Sequence, residues 1–132
     1  MSEENVEIVR RALEAQQRGE PWAEFLDPEM EWDFSAFPGL DVPVRGGGRE
    51  GFLRLMDRYW RAWIGYEAAV QEVIDAGDDV VLVLQETARA RGTEIPVERN
   101  IHQVVTIREG RATRLRVYGT RQEALEAAGL SE

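Results

Sequence analysis

The chain has 132 residues, 43% of them hydrophobic and 31% charged, which is the size and make-up of one globular domain with a single core. Its 16 basic residues against 25 acidic ones give a net charge of −9, which repels phosphate backbones and anionic lipid and predicts partners other than nucleic acid or membrane. Cysteine is absent, which excludes disulfides, thiolate nucleophiles and cysteine metal sites.

The chemical inventory narrows further. Every basic residue is arginine, so no lysine is present to form a Schiff base. The single histidine, His102, excludes a multi-histidine metal site, and no metal or other cofactor is expected. The only serines are Ser2, Ser35 and Ser131, which makes a Ser-His-Asp arrangement improbable. Carboxylates, arginines, tyrosines, glutamines and one imidazole remain. Any chemistry should be proton transfer and polarisation without a covalent intermediate. No apolar run approaches the roughly 20 residues that span a bilayer. The acidic first residues do not resemble a secretory leader, so a cytoplasmic location is expected.

Ser2 can cap a first helix whose opening turn carries Glu3 and Glu4, and Val6, Val9 and Leu13 give that helix an apolar stripe. Gly19 ends it, and Pro21 starts a short second helix through Trp22, Phe25 and Leu26, stopped at Asp27-Pro28. From Glu29 to Phe34, Met30, Trp32 and Phe34 alternate with Glu29, Glu31 and Asp33, the pattern of a half-buried strand. Ser35 to Gly48 reads as a loop with apolar content at Phe37, Leu40 and Val42, suited to covering a cavity mouth.

Arg49 to Trp63 predicts a helix with Phe52, Met56, Tyr59, Trp60 and Trp63 on one face, either core or the wall of an apolar pocket. Tyr66–Asp75 and Asp79–Ala90 form a hairpin, and the run Val80 to Leu84 is apolar on both faces, as in an interior strand. Pro96 to Tyr118 supplies two more strands around a tight turn at Glu109-Gly110. A helix from Thr120, with capping-box spacing to Glu123, closes at Gly129. One domain spans residues 1–132.

With the second hairpin centred on Glu109-Gly110, Arg116 falls opposite Gln103 and Tyr118 opposite Ile101. Leu82, Leu84, Glu86 and Ala88 then share their face, beside Ala69 and Gln71. Glu86, Gln103 and Arg116 form a polar row in an apolar floor, with Arg99 and Tyr118 nearby. Burial opposes the charge on Glu86 while an arginine favours it, the competition by which a carboxylate becomes a general base or acid. The competing reading is a buried Glu86–Arg116 pair that only satisfies itself. Asp33 shares a face with Glu29 and Glu31 and reads as a solvated carboxylate. His102 falls on the face away from Gln103, unless a bulge near Val104-Val105 reverses it.

The order of elements, together with Asp27-Pro28-Glu29-Met30-Glu31-Trp32, Arg45 to Gly51, Ile74 to Asp78, Thr106 to Arg111 and Glu123 to Leu130, resembles the SnoaL-like branch of the nuclear transport factor 2-like superfamily. The resemblance implies an α+β cone: a curved, mostly antiparallel sheet wrapped around three N-terminal helices, an internal pocket, a short C-terminal helix, and often a homodimer. It also implies polyketide cyclase, isomerase, dehydratase or epoxide hydrolase chemistry on a small apolar carbonyl, enol or epoxide compound, or ligand binding or dimerisation without turnover. Set against ketosteroid isomerases, the general base falls at Asp33, but the oxyanion tyrosine falls at Ala12 and the second oxyanion acid near Gln103. The polar row and the resemblance together leave Glu86, Arg116, Gln103 and Asp33 as catalytic candidates. Trp60, Trp63, Met56, Tyr59, Arg99, Tyr118, Gln71 and His102 are candidates for substrate contact.

Overall fold

The computed structural model describes residues 3–36, 45–93 and 95–130. The expected cap Ser2 and the loop residues Phe37, Leu40 and Val42 lie outside them. Helix α1 (Glu3–Gln17) and a 3-10 turn (Ala23–Phe25) lead into strand β1 (Leu26–Ala36). Strand β2 (Arg45–Gly47) and helix α2 (Arg49–Arg61) follow. Then come β3 (Trp63–Ala76), β4 (Asp79–Ala90), β5 (Pro96–Arg108), β6 (Arg111–Tyr118) and helix α3 (Arg121–Ala127).

The strands form one sheet in the order β2-β1-β6-β5-β4-β3, with β1 parallel to β6 and every other pairing antiparallel. This is the expected α+β architecture. Strand β2 falls inside the expected loop, and Leu26 begins a strand instead of ending a helix. Gly46 explains part of this: it packs against the Trp32 ring so closely that a Cβ there would collide with it. A strand made of one arginine and two glycines carries no propensity signal of its own.

Period-2 alternation divides the sheet. On one face Leu82, Leu84, Ile101, Val105 and Val117 pack beneath α1 and α2, which contribute Val9, Phe52 and Leu55. On the other, Val81 and Val104 receive Ala124 and Leu125 of α3. Both faces of the central run Val80–Leu84 are therefore covered, as its unbroken hydrophobicity predicts. The α3 start is fixed by a capping box in which Thr120 and Glu123 exchange hydrogen bonds of 3.1 Å. Helix α1 is tied across the sheet at both ends. Asn5 donates to the Gly77 carbonyl at 3.1 Å, and Gln17 to the Ala68 carbonyl at 3.0 Å.

The β5–β6 register decides which side chains face the helices. The turn forms where expected, Arg108 opposite Arg111, with positive φ at both Glu109 and Gly110. Ile107 pairs with Ala112 but Thr106 pairs with Arg114, so Thr113 is an extra residue on β6. Beyond this bulge every partner moves by one: Gln103 faces Val117, Val104 faces Arg116, and His102 faces Tyr118.

Candidate functional site

Between the sheet and α1 and α2 lies an open cavity of about 770 Å³, within the range of small-molecule sites. Its floor is apolar, and its opposite wall carries Trp22, Met56, Tyr59 and Trp60. The exposed residues Gln17, Glu67 and Ala69 belong to its rim.

Gln16, Gln85 and Thr87 are further polar residues of the lining, and two polar stations stand on its floor. The first is Glu86, 4% exposed on β4. Its strand partners are Ala68 on β3 and Arg99 on β5. Oε1 accepts from the Tyr59 hydroxyl at 2.9 Å and from Arg99 Nε at 3.0 Å, and Oε2 accepts from the Tyr66 hydroxyl. Arg99 Nη2 also donates to the Tyr59 hydroxyl oxygen. The guanidinium lies 5.6 Å from the Trp63 ring centre and 5.8 Å from that of Tyr59, within cation–π range. Burial, reinforced by the adjacent Glu86 charge, pushes the Tyr59 phenol up to about 12 and the Tyr66 phenol upward as well. Both phenols therefore remain protonated donors around neutral pH.

The second station is Gln103. It is half-buried between Leu82 and Val117, and its amide makes no hydrogen bond to another described residue. Glu86 and Gln103 thus share the cavity, as the sequence predicts, but the third member of the expected row does not join them.

Arg116 lies on the opposite face because of the Thr113 bulge, where its Nη2 meets Asp79 at 3.5 Å. Asp79 also accepts from the Thr106 hydroxyl at 2.6 Å. Tyr118 goes with Arg116, receives its Nη1 at 3.5 Å, and faces His102 instead of Ile101. His102 is 8% exposed and on the α3 side, as alternation predicts, so it does not line the cavity; its Nδ1 is buried without a hydrogen-bond partner among the described residues. Gln71 is exposed beside the register shift between Val70 and Glu72 and donates to Gln85 at 3.3 Å, outside the cavity lining.

Asp33 also points away from the cavity. It accepts from the Ser35 backbone at 2.8 Å and pairs with Arg45 at 3.3 Å. These Ser35 hydrogen bonds, helped by the Arg45 charge, hold its carboxyl below the usual range. A carboxylate so committed and so placed is not a base for a molecule in the cavity. Met56, Tyr59 and Trp60 line the cavity as expected. Trp63 and Arg99 instead close a small crevice behind Glu86.

Tyr66 is the residue that the sequence analysis missed. It sits just before the regular part of β3, after Gly65 at φ 65°. The available signal was parity, because Tyr66 lies two residues before Ala68, the strand partner of Glu86. Its ring is 6.2 Å from Tyr59 and 6.5 Å from Trp60, and Trp60 is 6.1 Å from Trp22. An aromatic band therefore runs along one wall of the cavity.

Among the described residues no group of three metal-ligating side chains forms, and no helix is long and apolar enough to cross a membrane. No curated protein matches the sequence. Solved structures share the fold at low identity. An NTF2-like protein of unknown function from Burkholderia pseudomallei K96243 is 18% identical, with a TM-score of 0.75 over 96% of this chain and 97% of that one. A protein from Jannaschia sp. CCS1 described as a SnoaL-like polyketide cyclase is 20% identical, with a TM-score of 0.73 over 94% and 90%. TerC, co-crystallised with polyporic acid, is 18% identical, with a TM-score of 0.74 over 95% and 98%. The SnoaL-like domain family matches residues 9–115, from α1 into β6 and across every element that builds the cavity, and the chain belongs to that family.

Proposed function

We propose that the chain binds a small, largely apolar molecule in the cavity between the sheet and α1 and α2. One observation carries this reading: an apolar space of about 770 Å³ lined by Gln103, whose amide has no hydrogen-bond partner among the described residues. Gln103 is half-buried and its amide faces the open cavity, so it is free to donate to and accept from a molecule that enters. The co-crystallisation of TerC with polyporic acid supports small-molecule accommodation by this architecture.

A second reading, cofactor-independent acid–base turnover of a carbonyl, enol or epoxide compound, is favoured by Glu86 reaching the same cavity with Tyr59 and Tyr66. In it Glu86 exchanges a proton with the bound compound, and the two phenols and Arg99 stabilise its anion. A buried carboxylate with three donors also serves as a purely structural anchor, so binding is the primary reading.

The test is a thermal-shift screen of apolar enones, lactones, epoxides and ring phenols, with wild type and Glu86→Gln in parallel. Ligand at 100 times its Kd should add about 2.7 kcal/mol, several degrees in a domain of this size. Stabilisation with the compound recovered unaltered supports binding. Conversion of the compound by wild type but not by Glu86→Gln supports turnover. No stabilisation by any compound in the panel overturns both.

A further inference from the structure

Resting on the binding reading, we infer that the cavity recognises an elongated ligand at two ends, with a hydrogen-bond donor at the Glu86 end and a polar group of either kind at the Gln103 end. The register lays these stations out in rows. Leu82 pairs with Gln103, Leu84 with Ile101, and Glu86 with Arg99. Those pairs are polar, apolar and polar in turn along the floor. Four residues of β4 separate the outer rows, which at about 3.3 Å per residue is about 13 Å.

The two stations differ in what they accept. At the Glu86 end the donors that touch the carboxylate are engaged with it: the Tyr59 and Tyr66 hydroxyls and Arg99 Nε donate to Glu86, and Arg99 Nη2 donates to Tyr59. Oε2 receives one of these bonds against two at Oε1, and a carboxylate oxygen has lone pairs for more than one donor. That end therefore takes a hydroxyl or an N–H. At the other end the Gln103 amide both donates and accepts, so a carbonyl or a hydroxyl satisfies it.

The middle is selective by shape. Leu84 and Ile101 form its floor, and Trp60 lies in the opposite lining with the Tyr66 ring 6.5 Å from it, so a flat apolar body suits the space between. With a hydrogen bond of about 2.8 Å at each end, a two-ring body spans the remaining distance and a single ring falls short. The ligand class is thus a flat two-ring or longer apolar compound with a hydroxyl at one end and an oxygen function at the other.

The experiment measures the affinity of three phenols for wild type and Gln103→Leu by calorimetry. They are the naphthalene diol with hydroxyls at opposite ends of its rings, the single-hydroxyl naphthol, and hydroquinone. Gln103→Leu suits the apolar floor and keeps the cavity. One added hydrogen bond corresponds to roughly tenfold in affinity. Wild type should bind the diol roughly tenfold more tightly than the naphthol, and hydroquinone more weakly than both. Gln103→Leu should bring diol and naphthol to within about threefold of each other. Equal affinity of wild type for diol and naphthol, or a preference for the diol that survives Gln103→Leu, overturns two-ended recognition while leaving the binding reading standing. Absence of binding by all three overturns two-ended recognition, and the broader screen then decides the binding reading separately.

Discussion

Replacing Arg99 with leucine removes the only cation in contact with the Glu86 carboxylate among the interactions described above. The carboxylate stays 4% exposed, with two phenol donors and no counter-charge. Breaking a buried ion pair from one side costs about 3–5 kcal/mol. The Arg99 side chain keeps 26% of its exposure, so solvent screens part of the charge. Tyr59 and Tyr66 also go on donating, which places the expected loss at the low end, about 3 kcal/mol. For a 132-residue domain this lowers Tm by about 10 °C. The sign of a second change is the sharper test. Adding Glu86→Gln to Arg99→Leu removes the uncompensated charge, while the new amide oxygen still accepts from a tyrosine. The double variant should therefore be more stable than Arg99→Leu alone, by about 1–2 kcal/mol. Urea unfolding followed by tryptophan fluorescence measures both. A double variant less stable than Arg99→Leu would refute the reasoning, because the carboxylate would then be favourable without its arginine.

Gly46→Ala should cost about 1–3 kcal/mol in the same assay, because the new Cβ meets the Trp32 ring; an unchanged unfolding midpoint would mean that β2 does not pack there. The two buried phenols predict an alkaline limb. Unfolded tyrosines ionise near pH 10, whereas burial and the Glu86 charge hold Tyr59 to about 12 and raise Tyr66 too. Between these values the unfolded chain releases protons first, so stability should fall as pH rises above about 10 and be unaffected by these groups below it. Tyr59→Phe with Tyr66→Phe should flatten that fall in a pH series of unfolding curves. Arg116→Leu should lower stability by about 1–2 kcal/mol through loss of the Asp79 contact. It should leave naphthol affinity within twofold, since Arg116 sits on the far side of the sheet; a tenfold loss would place it in the cavity.

The order of elements and the two layers were legible because they rest on strong local signals. These were the unbroken apolar run at Val80–Leu84, the aromatic stripe of α2, the Glu109-Gly110 turn and the Thr120–Glu123 box. Parity alone put His102 and Asp33 on the faces where they lie. The polar row was half legible. Glu86 and Gln103 were found because β4 and β5 pair without interruption from Asp79 to Arg89. Arg116 was misplaced because Thr113 bulges out of β6, and a bulge at a threonine leaves no mark in composition or spacing. Arg99 was placed near Glu86 as a neighbour, yet it is the arginine that pairs with it. Tyr66 escaped because the register shift between Ile64 and Glu67 separates it from the regular strand. The one-residue slip thus removed Arg116 from the row, while the β4–β5 register set Arg99 beside Glu86 and the two tyrosines came from α2 and β3, so the chemistry changed while the fold stayed intact.

The most direct test of the central claim is a crystal structure of the protein soaked with naphthol, with difference density calculated over the whole molecule. The account predicts a flat feature on Leu84 and Ile101, facing Trp60, with its oxygen at Gln103 or Glu86. Ligand density on the α3 face of the sheet, or a cavity closed by the side chains that now line it, would contradict the account.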